Sequence, residues 1–138
     1  MKLIIAGSRG FSDYELVCRN IDEFLEEHKL SYKDVEIISG GADGADKLGE
    51  RYAREHEIKI TRFIPNWNMY GKGAGPIRNA AMAEYAKGDG FLFLFWDGKS
   101  RGSQSMLYEA STRNIPYKLI NYVKGSVFDG FKEDVCLK

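Results

Sequence analysis

Four loops of this chain gather serine, arginine, aspartate and glycine in patterns that suit an anion. One of them, Ser39-Gly40-Gly41-Ala42-Asp43-Gly44, follows an apolar run from Val35 to Ile38 and precedes a helical pattern. Glycines there let the backbone turn without a Cβ and let a ligand approach the amides closely. The first turn of the next helix adds unpaired N–H groups and the positive end of its dipole, which together suit a phosphate. The first loop offers Ser8 and Arg9. The third offers Asn66, Trp67, Tyr70, Lys72 and Arg78, and the fourth offers Asp97, Ser100, Arg101, Gly102 and Ser103. Arginine forks and backbone amides are the usual phosphate partners. Trp67 or Tyr70 could stack on a base. Asp43 or Asp97 could accept from a ribose hydroxyl, as an acidic residue does in dinucleotide sites. Arg78 lies just inside a helix after Gly75-Pro76. Its guanidinium can reach back over the helix N-terminus and add a fork to a phosphate site built by the Gly40-Gly41 amides.

Each of these residues also has a reading without a ligand. Trp67 could be a core aromatic covering a sheet end. Asp43 and Asp46 stand where helix caps stand. Arg101 could be a solvated loop charge, and Asp97-Gly98 is the pair of an ordinary turn. His28 and His56 fall on helices away from the loops and belong to the core rim or surface. Several chemistries are missing. There is no GxxxxGK[ST], and the first loop reads GSRGF rather than GxGxxG. No cluster of His, Cys and acid has metal spacing, so neither a metal nor a cofactor is expected.

The elements that would carry these loops follow from periodicity. Residues 2–6 read as a first strand. Ser12 and Glu15 have the spacing of a capping box, and Val17, Ile21, Phe24, Leu25 and His28 then share a helical face. The second helix runs to about Glu57, with Ala45, Leu48, Gly49, Tyr52, Ala53 and His56 on one side. Alternation at Ile58 and Ile60 opens a third strand that ends before Pro65. Three glycines between 71 and 75 argue against a helix interior, and Pro76 suits a helix's first turn. Ile77, Ala80, Ala81, Glu84 and Tyr85 share the next face. The small residues of 77–86 also suit close approach by a second copy, and a homo-oligomer is expected. The unbroken run Phe91–Trp96 reads as a central strand covered on both faces. A helix with Met106, Leu107 and Ala110 follows, then a strand over 117–123. The tail 124–138 shows no clear period and is expected to be peripheral to a domain spanning 1–123. The order βαβαβαβαβ predicts an α/β fold: one Rossmann-like domain with a mostly parallel sheet and helices on both faces. All four loops then lie at the carboxyl ends of strands, where such sheets bind ligands.

Composition narrows the class. The chain has 138 residues, enough for one domain with a proper core. With 43% hydrophobic and 13% aromatic residues, disorder is not expected. Net charge is zero, from 20 basic and 20 acidic residues, which argues against an extended nucleic-acid surface. No apolar run approaches the ~20 residues of a membrane span. The start is too short for a signal peptide. Cys18 and Cys136 lie far apart, and a cytoplasmic location is expected.

These motifs together resemble the SLOG superfamily, the Rossmann-like group that includes the Smf/DprA and LOG proteins, and are most similar to its small YspA-like branch. The stretches are GSRGF at 7–11, SGGADGAD at 39–46, WNMYGKGAGPIRNAAM at 67–82 and WDGKSRGS at 96–103. The resemblance implies a pocket for a nucleotide or nucleotide-derived ligand. In relatives this fold either hydrolyses an N-glycosidic bond or binds NAD-derived signals or single-stranded DNA. The hydrolase branch carries GTxxE with an active-site glutamate. Here Gly102-Ser103-Gln104-Ser105-Met106 places methionine at that position, and Glu109 lies about one helical turn further on. The expectation is therefore a binder of a nucleotide-type ligand, as sensor or sequestering protein. A nucleotide N-glycosidase is the second reading and a DNA-binding module the third.

Overall fold

The computed structural model describes residues 1–130. Its strands are β1 (Lys2–Gly7), β2 (Glu36–Ser39), β3 (Lys59–Arg62), β4 (Gly90–Trp96), β5 (Tyr117–Asn121) and β6 (Ser126–Gly130). Its α-helices are α1 (Tyr14–Glu27), α2 (Ala45–Glu55), α3 (Trp67–Tyr70), α4 (Ala74–Ala86) and α5 (Arg101–Thr112). The strands form one sheet in the order β3-β2-β1-β4-β5-β6. Every pairing is parallel except β5 with β6. This is the expected single α/β domain of Rossmann-like architecture.

Alternation along the strands splits the core into two layers. Leu3, Ile5, Phe93 and Phe95 pack toward α1 and α2, against Val17, Ile21, Phe24, Tyr52 and Ala53. Ile4, Ala6, Leu92 and Leu94 point the other way, toward Met82, Ala83 and Ala86 of α4 and Met106 and Ala110 of α5. Each fully buried aliphatic or aromatic side chain contributes roughly 1.5–3 kcal/mol. Coverage on both faces is why β4 has no polar interruption. From β1 the chain crosses to β2 on one side, while β4 leads through α5 to β5 on the other. The strand order therefore reverses between β1 and β4, and a crevice opens beyond Gly7 and Trp96.

Local details differ from expectation for identifiable reasons. Helix α1 is capped by Asp13, whose Oδ1 accepts from the Leu16 amide at 3.1 Å, and not by Ser12. The glycine-rich stretch before Pro76 is more helical than its composition suggests. Asn66 caps α3 by accepting from the Met69 amide at 3.0 Å. Gly71, at φ 54°, breaks that turn, and a 3-10 turn at Gly71–Gly73 leads straight into α4. Because α4 starts at Ala74, its buried face is Ala74, Asn79, Met82, Ala83 and Ala86. The face at Ile77, Ala81, Glu84 and Tyr85 is exposed. Ala83 and Ala86 thus serve packing within their own domain. The sheet also gains β6, which pairs antiparallel to β5 at the edge and leaves Val127 and Phe128 exposed. No helix among the described residues is long and apolar enough to cross a membrane. Cys136 lies outside the described residues, while Cys18 is half-buried on α1.

Candidate functional site

A cavity of about 390 Å³ sits at the reversal point, beyond the carboxyl ends of β1 and β4. Ser8 is among its lining residues. The Ser8 amide donates to the Phe95 carbonyl at 2.9 Å, and the Ser8 hydroxyl accepts from the Asp97 amide at 3.0 Å. Its carbonyl accepts from Phe11 and, at 3.4 Å, from Ala45 at the start of α2. One residue thus fastens β1, β4 and α2 together. Gly44 makes this approach possible: at φ +84°, a Cβ there would lie 2.2 Å from the Ser8 carbonyl oxygen. Gly7 is needed for the same reason, since its Cβ would strike the Phe95 carbonyl at 2.1 Å.

Of the anticipated residues, Ser8, Arg9, Arg78, Asp97, Ser100, Gly102 and Ser103 line the cavity. Asp97 Oδ1 accepts the amides of Lys99 and Ser100, each at 2.8 Å, which closes the turn into α5. Those two amides hold the Asp97 carboxyl below its usual range. Ser100 is the N-cap of α5, and its Oγ accepts from the Ser103 amide at 3.4 Å. The first turn of α5 therefore faces the cavity with its remaining amides and the positive end of its dipole.

The other anticipated residues stand outside the cavity lining. Ser39 is buried, and its hydroxyl donates to Glu50 at 2.6 Å. Asp43 is exposed and caps nothing, because the α2 N-cap is Gly44. Trp67 is 49% exposed and Tyr70 46%, so neither is a core aromatic. Lys72 and Arg101 are exposed. The Gly40-Gly41 loop does not offer its amides to a ligand. The Gly41 amide donates to Ser39 Oγ at 3.0 Å, and the Gly40 and Ala42 amides turn to Asp46, the latter at 3.3 Å. A buried carboxylate one residue inside α2 has taken the place expected for an anion.

That residue, Asp46, is one of those the motif reading missed as cavity residues. It lines the cavity at only 4% exposure. Burial pushes its carboxyl up to about 6, against the pull of the Ala42 amide and Arg78, and with the push of Glu50. Arg78 faces it across the loop. An Arg78 terminal nitrogen donates to the Gly40 carbonyl, and its Nε donates to Asn79 Oδ1 at 2.9 Å. Burial pulls the Arg78 guanidinium below its usual range; Asp46 opposes that shift and Arg9 adds to it. Two arginines, Arg9 and Arg78, therefore line one cavity. Asn79 and Met82 of α4 and Met106 of α5 complete the wall. Met106, at the position where the hydrolase motif has its glutamate, is 1% exposed. Glu109 pairs with Arg113 at 2.8 Å instead of reaching the cavity.

The fold and this crevice define a Rossmann-like protein with a cavity at its topological switch point. Residues 1–70, just over half of the chain, match the YspA, cpYpsA-related SLOG family. The chain also resembles the Gene 61 protein of Mycobacterium phage D29. The two are 30% identical over 126 residues, covering 88% of this chain and 95% of that protein. The chain belongs to the YspA, cpYpsA-related SLOG family. No solved structure matches it.

Proposed function

We propose that the cavity binds a nucleotide or nucleotide-derived ligand through its phosphate, and that the protein acts as a sensor or sequestering protein for that ligand. The observation that carries this reading is the convergence of Arg9, Arg78 and the first turn of α5 on one cavity. Guanidinium forks and helix N-terminal amides are the usual phosphate partners in a site without a metal. Membership of a SLOG family supports a nucleotide-related role; the sensing role is drawn by analogy with that superfamily. Trp67, Met69, Tyr70 and Ile77 expose apolar surface on α3 and α4, which supports assembly into a homo-oligomer. The test is mass spectrometry of small molecules released when the purified protein is denatured, followed by calorimetry with AMP, cyclic AMP and ADP-ribose. A base-bearing phosphate compound is the expected result. No released compound and no binding heat with any of the three would refute the reading.

One observation favours an enzyme as the second reading. Asp46 and Asp97 share the cavity, with one carboxyl pushed up to about 6 and the other held low. Such a split is how paired carboxylates divide acid and base roles. An N-glycosidase would use Asp46 as its proton carrier in place of the missing glutamate. Release of free base from AMP on prolonged incubation would establish it.

A further inference from the structure

We propose that Asn79 is the positioning residue of the anion site: it aims the Arg78 guanidinium and ties it to the first turn of α5. This role rests on the anion-binding reading above. Asn79 is 4% exposed and interrupts an otherwise apolar buried face of α4 formed by Met82, Ala83 and Ala86. Its side chain is used at both ends. Oδ1 accepts from Arg78 Nε at 2.9 Å, while Nδ2 donates to Ser105 Oγ at 3.1 Å and to the Gly102 carbonyl at 3.4 Å. The donor at one end and the acceptors at the other define which way the amide points.

A buried amide that only holds helices together is poorly placed to add stability. Its hydrogen bonds do little more than offset the desolvation of its own polar atoms. What it adds is geometry. An arginine fork has five donors in a rigid plane. Here Nε is held by Asn79 and one terminal nitrogen by the Gly40 carbonyl, so the plane of the guanidinium is determined from two sides. The remaining donors are left to the cavity that Arg78 lines. The other end of the same amide grips Gly102, which lines the cavity from α5. One side chain therefore sets the spacing between the two groups that would hold the anion. Binding groups need support of this kind, because a loosely held fork loses the directional part of its hydrogen bonds.

The experiment uses the full chain, inorganic phosphate as probe, and the variants Asn79→Ala, Asn79→Asp and Arg78→Lys. Side-chain 1H–15N spectra of the free protein should show a slowly exchanging arginine Nε–H that vanishes in Arg78→Lys, which assigns it. It should also vanish in Asn79→Ala, with the melting transition still cooperative. Phosphate affinity should fall about tenfold in Asn79→Ala, the loss of one well-aimed charged hydrogen bond. Asn79→Asp keeps an acceptor for Nε, so its Nε–H should stay protected while phosphate binding weakens through loss of the α5 tie and the added negative charge. This variant tests the role even if the alanine protein does not fold. Unchanged phosphate affinity in the folded variants, or an Nε–H equally protected without Asn79, overturns the role while leaving the anion site standing. No phosphate binding by the wild-type protein, with the Nε–H protected, rejects the anion site and with it this role.

Discussion

Replacing Asp46 with asparagine should change how stability depends on pH in a calculable way. The folded protein holds this carboxyl at about 6, against an ordinary value of 3.8. A carboxyl raised on folding favours the folded state when protonated. Its stabilising contribution is fully present below the unfolded value and is lost as pH rises to and through the folded one. The rise from 3.8 to about 6 corresponds to roughly 3 kcal/mol, of which about 2 kcal/mol is lost between pH 4.5 and 8. Asparagine is nearly isosteric, can still accept from the Ala42 amide, and does not titrate. Carboxylates that do not interact with Asp46 contribute equally to both proteins, so the difference between the two profiles isolates Asp46 and its coupling to Glu50. Urea unfolding of wild type and Asp46→Asn at pH 4.5 and pH 8 provides the measurement. The variant should gain about 2 kcal/mol relative to wild type on going from the lower to the higher pH. Parallel profiles would show that Arg78 neutralises the carboxylate fully and that burial does not govern it.

The same carboxylate should govern binding, because its ionisation cancels part of the positive field of Arg78. Cyclic AMP, whose phosphodiester keeps one charge between about pH 5 and 8, should bind more weakly as pH rises through 6, and calorimetry on Asp46→Asn should remove that dependence. Arg78→Ala should weaken cyclic AMP binding by about 10- to 150-fold, from the ~1.5–3 kcal/mol of a charged hydrogen bond, and Arg78→Lys should recover only part of it. Arg78→Ala should also lower the melting temperature, since it frees the Gly40 carbonyl and leaves Asp46 without its counter-charge. Gly44→Ala should destabilise by at least ~1–3 kcal/mol in urea unfolding, because the new Cβ meets two carbonyl oxygens at a positive φ. Light scattering at micromolar concentration should give a mass above the 15.7 kDa of one chain.

The architecture was legible wherever burial imposes a strong pattern. The unbroken run of β4 made it a central strand, and strand–glycine–helix order placed the loops on one edge. The cavity was legible at its two central strands, through Ser8, Arg9 and Asp97. It was less so along the β2–α2 loop. Asp43 and Asp46 look alike in sequence, and only the fold shows that one faces solvent while the other collects the loop's amides. Asn79 was not legible, because the face read from Ile77, Ala80, Ala81, Glu84 and Tyr85 leaves it out, whereas α4 buries Ala74, Asn79, Met82, Ala83 and Ala86. A polar residue in phase with Met82, Ala83 and Ala86 was the signal available. Strand β6 gave no signal, because most of its side chains are exposed and no alternation marks it.

The pairing of β1 with β4 bears on when the molecule becomes able to bind. Lys2 pairs with Gly90 and Gly7 with Phe95, a contact that spans most of the chain, whereas β1 meets β2 over a much shorter separation. Long-range parallel pairings form slowly, because loop-closure entropy is lost before contacts compensate for it. The cavity straddles this pairing. A growing chain that has released residues 1–70 already carries its first three strands and the stretch matching the family, yet it lacks Arg78, Asp97 and the first turn of α5. Ligand binding would then signal that both halves have joined, and a ligand present during synthesis would stabilise only the completed chain.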